Sequence, residues 1–307
     1  MNAFQSDLPT TIPAYLERLR RALDGCDRAL AQDALYDAED YLRSELAANP
    51  GKSEAEVIAT VAGSYGAPNE VADIYRDTEV RVQTALRAPP PPPRTSILGR
   101  FFGVIADTRT YASLFYMLLS LATGIFYFTW VVTGISMSFG LAILIIGIPF
   151  VILYFGSVRV LSLVEGRIVE VMLGERMPRR PLYEARGKPW LQRIADMFTD
   201  PRTWSTQLYF LLMLPLGTAY FTVAVTLLSV SLAFIAAPLL VWIGYVDNNW
   251  FVGDWWGQNS MNLWWQLPLL FAAGVAILFG TLHLARGVGL LHGRLAKHLL
   301  VHASRDS

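Results

Sequence analysis

The pattern of hydrophobic positions changes near residue 95. Before that point, apolar residues recur at helical spacing among charged ones, whereas almost every long uninterrupted apolar run comes after it. The first pattern is typical of amphipathic helices that share a small core, and the second predicts helices that cross a membrane. We therefore expect an all-α protein, in which a small helical bundle is joined to a transmembrane helical bundle.

Residues 1–88, called the head below, carry the pattern of four short helices. A break near Gly25 separates the first two apolar stripes. Ser53, with Glu56 three residues later, forms a capping-box pattern and predicts the start of the third helix. Asn69 is the predicted N-cap of the fourth helix. Four such helices can close a small core, so we expect the head to be a soluble domain.

Residues 89–99 form the expected linker between the two parts. The run from Pro89 to Pro93 favours polyproline II, which rises about 3.1 Å per residue. A ligand for an SH3-type domain is the alternative interpretation of this run. Its position between a soluble unit and a membrane unit favours a semi-rigid spacer.

The membrane part contains an internal repeat. Residues 107–129 align with residues 200–222 at a constant offset of 93, and eleven of the 23 positions are identical. We therefore divide the membrane part into a first repeat, residues 100–190, and a second repeat, residues 191–307. The identical pairs are Asp107/Asp200, Arg109/Arg202, Thr110/Thr203, Tyr116/Tyr209, Leu118/Leu211, Leu119/Leu212, Leu121/Leu214, Gly124/Gly217, Tyr127/Tyr220, Phe128/Phe221 and Thr129/Thr222.

The first repeat contains two predicted spans. The segments 112–135 and 139–164 are each long enough to cross about 30 Å of hydrocarbon, with 136–138 as the outer turn. Gly147 and Pro149 interrupt the second segment and predict a kink there.

The second repeat is longer and contains three apolar runs. Residues 206–228 and 263–284 are predicted spans, and the polar aromatic segment 246–262 is the predicted outer loop. The run 231–245 is short, so we expect it to be re-entrant or interfacial. This assignment gives four transmembrane helices in total, a four-helix bundle made of two repeats.

The net charge of zero hides a division between the two parts. The composition, 53% hydrophobic and 16% charged with a mean hydropathy of +0.37, is typical of a membrane protein. The head holds fifteen acidic and nine basic residues, so the rest of the chain holds ten and sixteen. Most of these basic residues lie in short segments beside the spans, which the positive-inside rule places in the cytoplasm. Both termini are therefore expected to be cytoplasmic.

A short polar motif occurs late in each repeat. Residues 165–167, Glu-Gly-Arg, correspond to residues 292–294, His-Gly-Arg. We expect both motifs to belong to amphipathic segments along the inner membrane surface. Arg159 is then the main charge within the predicted spans, close enough to their cytoplasmic end for its side chain to reach the headgroups. Because no pair of intramembrane acids is expected, ordinary transporters and intramembrane proteases are disfavoured.

The candidate ligand site lies in the predicted outer loop and its flanks. Aromatic side chains beside carboxylates can bind amphipathic or cationic molecules. An interfacial tryptophan belt is the alternative interpretation, and an outer-face enzyme that uses Asp247 and Asp254 is a third. The candidate ligand-binding residues are Trp242, Tyr245, Asp247, Trp250, Asp254, Trp255, Trp256 and Trp264.

Few residues suggest catalysis, metal binding or redox chemistry. His298 and His302 share a helical face, but no nearby carboxylate or thiolate completes a metal site. Cys26 is the single cysteine, and a buried structural thiol is its expected role. The sequence contains no P-loop, no nucleophile-elbow motif and no kinase catalytic loop. We expect a non-enzymatic protein without cofactor or metal.

Two parts of the chain resemble known families. Each repeat opens with Asp-x-Arg-Thr-aromatic and continues with Leu-Leu-x-Leu-x-x-Gly-x-x-Tyr-Phe, and the first adds the Gly-Ile-Pro break and the Glu-Gly-Arg helix. Over residues 100–300 these motifs resemble the bacterial "putative sensor" domain that precedes the kinase core in many actinobacterial histidine kinases. The head, with Tyr-Leu-Glu-Arg-Leu at 15–19 and Gly-Ala-Pro at 66–68, looks like a HAAS signalling domain. The sequence departs from those kinases, since it carries no dimerisation helix and no ATP-binding core.

The resemblance implies a membrane sensor that signals through another protein. HAAS-type domains are often associated with PadR-type winged-helix regulators, so such a regulator is the implied cytoplasmic partner. The implied location is the bacterial inner (cytoplasmic) membrane, in contact with membrane lipid. The acidic head has no basic patch for direct nucleic-acid binding, and a homo-oligomer stays open. The alternative function is a small-molecule or lipid transporter, or an accessory subunit of one, because transporters often contain repeats.

Overall fold

The computed structural model of the protein describes residues 8–86, 96–141, 147–180, 199–245 and 266–301. All regular structure in these stretches is helical, which confirms the predicted all-α fold. The predicted proline spacer and the predicted outer loop lie outside the described residues.

The head consists of four helices, as its hydrophobic pattern predicts. Gly25 has a φ of 79°, the left-handed conformation that glycine adopts without strain, in the turn between the first two helices. The predicted capping box is present: Ser53 accepts from the backbone N–H of Glu56, whose carboxylate accepts from that of Ser53 at 2.8 Å. The helices are α1 Ile12–Ala22, α2 Arg28–Ala48, α3 Glu54–Ser64 and α4 Pro68–Leu86.

The expectation that Asn69 caps the fourth helix is wrong. Asn69 is the second residue of the helix, which begins at Pro68 because the fixed φ of proline suits the first helical position and proline has no N–H to leave unpaired there. The side chain of Glu70 accepts a hydrogen bond from the backbone N–H of Ala67, at 3.0 Å. A glutamate in the first turn thus pairs the backbone N–H of the residue that precedes the helix.

The four helices bury their apolar stripes against one another. Tyr15, Leu19 and Leu42 have no exposed surface, and the same core takes in residues from α3 and α4. The Tyr15 hydroxyl donates to the carbonyl of Gly66 at 2.7 Å, and burial raises the pKa of this phenol, so it remains a donor. The head therefore has a core of its own, as predicted.

Four long helices form the membrane part. Each is long and apolar enough to cross a membrane, which confirms the predicted number of spans. A short helix and a 3₁₀ turn, Gly103–Ala106, precede them. The helices are α5 Ile97–Phe102, α6 Thr108–Leu141, α7 Gly147–Leu173, α8 Pro201–Trp242 and α9 Gln266–Leu300.

Two predicted interruptions are continuous helix in the structure. The expected outer turn at 136–138 lies within α6, where the Ser138 hydroxyl donates to the carbonyl of Gly134 at 2.7 Å. The run 231–245 is not a separate re-entrant segment, because its residues up to Trp242 continue α8. Ser231 donates to the carbonyl of Leu228 at 2.9 Å. Because these serine hydroxyls donate to carbonyls of the preceding helical turn, serine at these positions does not require a break in the helix.

The predicted kink at the Gly-Ile-Pro step stays a prediction. The described part of α7 begins at Gly147, and Pro149 is its third residue. Residues 142–146, which precede the step, lie outside the described residues.

Helices α6 and α8 cross in close contact at the centre of the membrane part. A Cβ added to Gly124 would collide with the backbone of Met213, and one added to Gly217 would collide with the backbone of Ser120. Both glycines were identical positions in the sequence alignment of the repeats. Helix α7 packs mainly on α6, and α9 packs mainly on α8.

Candidate functional site

A buried carboxylate lies where the long helices meet. Glu165 of α7 has no exposed surface. Its Oε1 accepts hydrogen bonds from the hydroxyls of Tyr116 at 2.8 Å and Tyr209 at 2.9 Å, and its Oε2 accepts from Tyr127 at 3.0 Å. Three hydroxyl donors therefore replace the water that this carboxylate loses on burial.

A buried histidine shares two of these phenols. Nε2 of His292, in α9, lies 2.7 Å from the hydroxyl of Tyr116 and 3.0 Å from that of Tyr209. Its Nδ1 lies 3.4 Å from the hydroxyl of Tyr220, which is partly exposed. His292 itself is 1% exposed. Glu165, His292 and the four tyrosines are called the Glu–His cluster below.

The Glu–His cluster has a two-fold arrangement. Tyr116 and Tyr209 each lie eight residues after the start of their helix, and Glu165 and His292 each lie eight residues before the end of theirs. The remaining polar atom of each ionisable group contacts a further tyrosine. Oε2 of Glu165 contacts Tyr127, and Nδ1 of His292 contacts Tyr220. Positions that the sequence alignment pairs thus occupy corresponding places around the cluster.

The cluster lies in the main apolar core of the membrane part. The ring of Tyr127 stacks on Phe210 at a centroid distance of 4.5 Å. Buried aliphatic and aromatic side chains from all four long helices complete this core, among them Val131, Phe155, Val158, Met213 and Ala296. Because these side chains exclude water, the polar groups of the cluster depend on one another for hydrogen bonds.

The sequence analysis missed this cluster. It placed the motifs that contain Glu165 and His292 on the inner membrane surface, whereas the structure places both residues inside long helices without access to solvent. The expectation that Arg159 is the main charge within the spans was therefore incomplete. The useful signal was the spacing of the paired tyrosines, since residues eleven apart, such as Tyr116 and Tyr127, share one helical face.

The structure describes two of the candidate ligand-binding residues. Trp242 is 84% exposed at the end of α8, and Tyr245 is 80% exposed just after it. Neither lies in the Glu–His cluster, and their exposure is what an interfacial aromatic belt would show. The other candidates lie outside the described residues: Asp247, Trp250, Asp254, Trp255, Trp256 and Trp264.

The head docks onto the segment that follows α7, and Asp33 of α2 is the centre of this contact. It is 5% exposed and accepts from the backbone N–H groups of Arg179 at 2.6 Å and Arg180 at 2.7 Å. The guanidinium of Arg176 donates to the same carboxylate at 3.0 Å. Burial raises the pKa of Asp33, while these three donors act in the opposite direction. These three hydrogen bonds therefore offset the cost of burying the ionised carboxylate.

Further ion pairs surround Asp33. Arg176 also pairs with Glu79 of α4, at 3.2 Å, and Arg180 pairs with Asp37 at 2.8 Å. At the end of α9, Lys297 donates to Asp27 of the head at 2.5 Å. The acidic head is thus held by basic residues that follow α7 and by one in the last turn of α9.

The two contacts to the head lie close in sequence to the Glu–His cluster. Helix α7 carries Glu165 and is followed after Leu173 by the arginines that hold the head. Helix α9 carries His292, and Lys297 is five residues further along the same helix. A shift of either helix at the cluster would therefore move a group that is bonded to the head.

Comparison with known proteins identifies the membrane part. No curated protein and no solved structure matches the chain. One family model, described as "Putative sensor", matches residues 116–300, which include all six residues of the Glu–His cluster. Because this match covers more than half of the chain, the protein belongs to the "Putative sensor" family.

Proposed function

We propose that the protein is a non-enzymatic sensor of the bacterial inner membrane that relays a signal to a cytoplasmic partner through its head. The observation that carries this proposal is the connection between the two sites: α7 and α9 hold the Glu–His cluster and also lead to the basic residues that hold the head. A change in helix packing at the cluster would alter the docking of the head.

The signal acts by shifting a balance between two arrangements of the helices. A stimulus favours one arrangement only as far as it binds or stabilises it better than the other. In one arrangement the head is docked through Asp33, as in this structure. In the other it is released, and its acidic surface is free for a partner.

The proposed partner is a basic cytoplasmic protein, specifically a PadR-type winged-helix regulator. The head has six more acidic than basic residues, and docking occupies Asp27, Asp33 and Asp37 with cations of the chain itself. The resemblance of the head to HAAS signalling domains also supports this partner. Docking against the basic end of the helices supports a cytoplasmic head and cytoplasmic termini, by the positive-inside rule.

The test uses charge reversals on the membrane side, which leave the head unaltered. Arg176→Glu breaks the pairs with Asp33, Glu79 and Glu170, whereas the matched control Arg167→Glu removes, among the described residues, only a pair with Glu170. The full-length variants would be captured from native membranes and the bound proteins identified by mass spectrometry. We expect Arg176→Glu to enrich a winged-helix regulator several-fold over wild type and over the control.

Two results would count against the proposal. Equal recovery of the regulator with both variants would separate docking from partner binding. Recovery of transport components in place of a regulator would favour the transporter alternative.

A further inference from the structure

With Glu165 ionised, the hydrogen atoms available in the Glu–His cluster set the tautomer of His292. Each phenol has one hydrogen to donate, and those of Tyr116, Tyr127 and Tyr209 are directed to Glu165. An ionised carboxylate accepts bonds only, so this arrangement fills it with three donors. No phenol hydrogen then remains for Nε2 of His292 from Tyr116 or Tyr209.

We therefore assign the neutral histidine a hydrogen on Nε2. With its hydrogen on Nε2, His292 donates to a phenol oxygen of Tyr116 or Tyr209, at 2.7 or 3.0 Å. Its Nδ1 is then a lone-pair acceptor that faces the hydroxyl of Tyr220 at 3.4 Å. In this state five hydrogens serve the six contacts of the cluster, since the Nε2 hydrogen is directed to one of two phenol oxygens, and the cluster carries one negative charge.

The cluster has a place for one more proton. The groups that face His292 are Tyr116 from α6 and Tyr209 and Tyr220 from α8, with Glu165 of α7 behind the first two phenols. The side chain of Glu175 lies against the next residue of α9 and adds a second acidic group on that side. A net negative charge in an apolar core is costly, and a proton on the histidine would balance it.

The geometry points to a proton-binding site in which Nδ1 of His292 takes up one proton from solvent and donates it to the hydroxyl oxygen of Tyr220. Uptake neutralises the pair of Glu165 and His292 and leaves the other hydrogen bonds of the cluster unchanged. Only Tyr220, whose side chain is partly exposed, reverses its role, from donor to acceptor. The inference rests on the proposed function, for which it names the proton as the stimulus.

The test is a titration of the full-length protein in lipid nanodiscs with ¹⁵N-labelled histidine. Magnetic resonance reports the state of each ring nitrogen between about pH 4 and about pH 9, the range around the usual histidine pKa. His292→Gln assigns the signal of interest, and His283→Gln assigns that of an exposed histidine on the same helix. We expect Nδ1 of His292 to gain a proton in this range while Nε2 stays protonated.

Two variants test the role of the neighbours. Glu165→Gln removes the balancing charge, so we expect proton binding at His292 to weaken about tenfold or more, one pH unit in the titration. Tyr220→Phe removes the acceptor for the new hydrogen bond and should weaken it in the same direction. Tyr220 is less buried than Glu165, so this variant keeps the test decisive if Glu165→Gln does not fold.

Three outcomes would overturn the inference: a His292 signal that does not change over the range, a proton that resides on Nδ1 and not on Nε2 in the deprotonated form, or unchanged titration in both variants. This readout does not involve the head. If His292 titrates as expected while the docking of the head stays the same at every pH, the proton site stands and the proposed relay fails.

Discussion

At the scale of single residues, Glu165 is the least expected feature of the protein. A carboxylate without exposed surface inside a membrane helix is costly unless other groups replace its hydration. Here three phenols do so, and their O–H groups in turn donate to Glu165 as the acceptor. Removal of the carboxylate would leave buried hydroxyls without an acceptor. An unpaired buried hydroxyl is more costly than an apolar group in the same position.

We expect Glu165→Leu to destabilise the protein strongly. Each hydroxyl that loses its acceptor costs about 1–3 kcal/mol, and three are affected. The matched control is Val164→Leu, at an exposed neighbour on the same helix, which should leave stability nearly unchanged. Thermal unfolding of the purified protein in detergent, followed by circular dichroism, measures both. Similar melting temperatures for the two variants would show that the cluster contributes little to stability.

The sequence indicated the tyrosines of this cluster but not their partner. Tyr116 and Tyr209 were identical positions of the repeat, and so were Tyr127 and Tyr220. Glu165 was missed because a charged residue near the end of an apolar run is usually at the membrane surface. Its burial depends on how four helices pack, and that packing involves contacts between residues as far apart as Tyr116 and His292.

At the scale of helices, the crossing of α6 and α8 depends on two glycines. Small residues let helix backbones approach closely in membranes, where van der Waals packing drives association. Gly124 and Gly217 each face the backbone of the other helix, so the neighbour cannot move aside as a flexible side chain would. The sequence identified both positions through the repeat, but only the structure shows that they face each other's helix.

We expect Gly124→Ala to destabilise the protein by about 1–3 kcal/mol, the usual cost of overpacking. The control is Gly140→Ala on the same helix, where an added Cβ meets no atom of the described residues within 4 Å. That substitution should be neutral or stabilising by up to about 1 kcal/mol, since alanine favours helix over glycine. Opposite shifts in melting temperature are the expected result, and a stabilising effect of Gly124→Ala would contradict the close crossing.

The boundaries of the helices were harder to predict than their number. The four spans follow from the length of the apolar runs, which depends on composition alone. The predicted outer turn at 136–138 and the predicted gap between the runs 206–228 and 231–245 both contain or adjoin serine, whose hydroxyl can be satisfied either in a turn or by the helix itself. The structure shows the second arrangement for Ser138 and Ser231, and sequence alone does not distinguish the two.

At the scale of the whole molecule, docking of the head depends on a few ion pairs. The charge division along the sequence favours attraction between the head and the basic segments. It did not show that Asp33 would be the buried centre, because its donors include two backbone N–H groups that carry no sequence signature. Exposed ion pairs contribute little each, so most of the specificity of docking lies in the buried pair of Asp33 and Arg176.

We expect Arg176→Glu to release the head. Cys26, the only cysteine of the chain, allows a spin label on the head. A second label is placed at Phe139→Cys, an exposed position near the C-terminal end of α6, and the distance between the two labels is measured. Electron–electron resonance should give one narrow distance distribution for the wild type and for Arg167→Glu, and a broad one for Arg176→Glu. A distribution that stays narrow in Arg176→Glu would mean that other contacts hold the head.

The two-fold arrangement around the Glu–His cluster also means that two copies of one half could not replace the whole chain. A symmetric dimer of the first half would place two glutamates against the same pair of phenols, and one of the second half would place two histidines there. Like charges or unfilled acceptors would meet at the centre in either case. The single chain avoids this by having Glu165 in one half and His292 in the other. Its polar centre is therefore asymmetric, and a homodimer of either half could not form it.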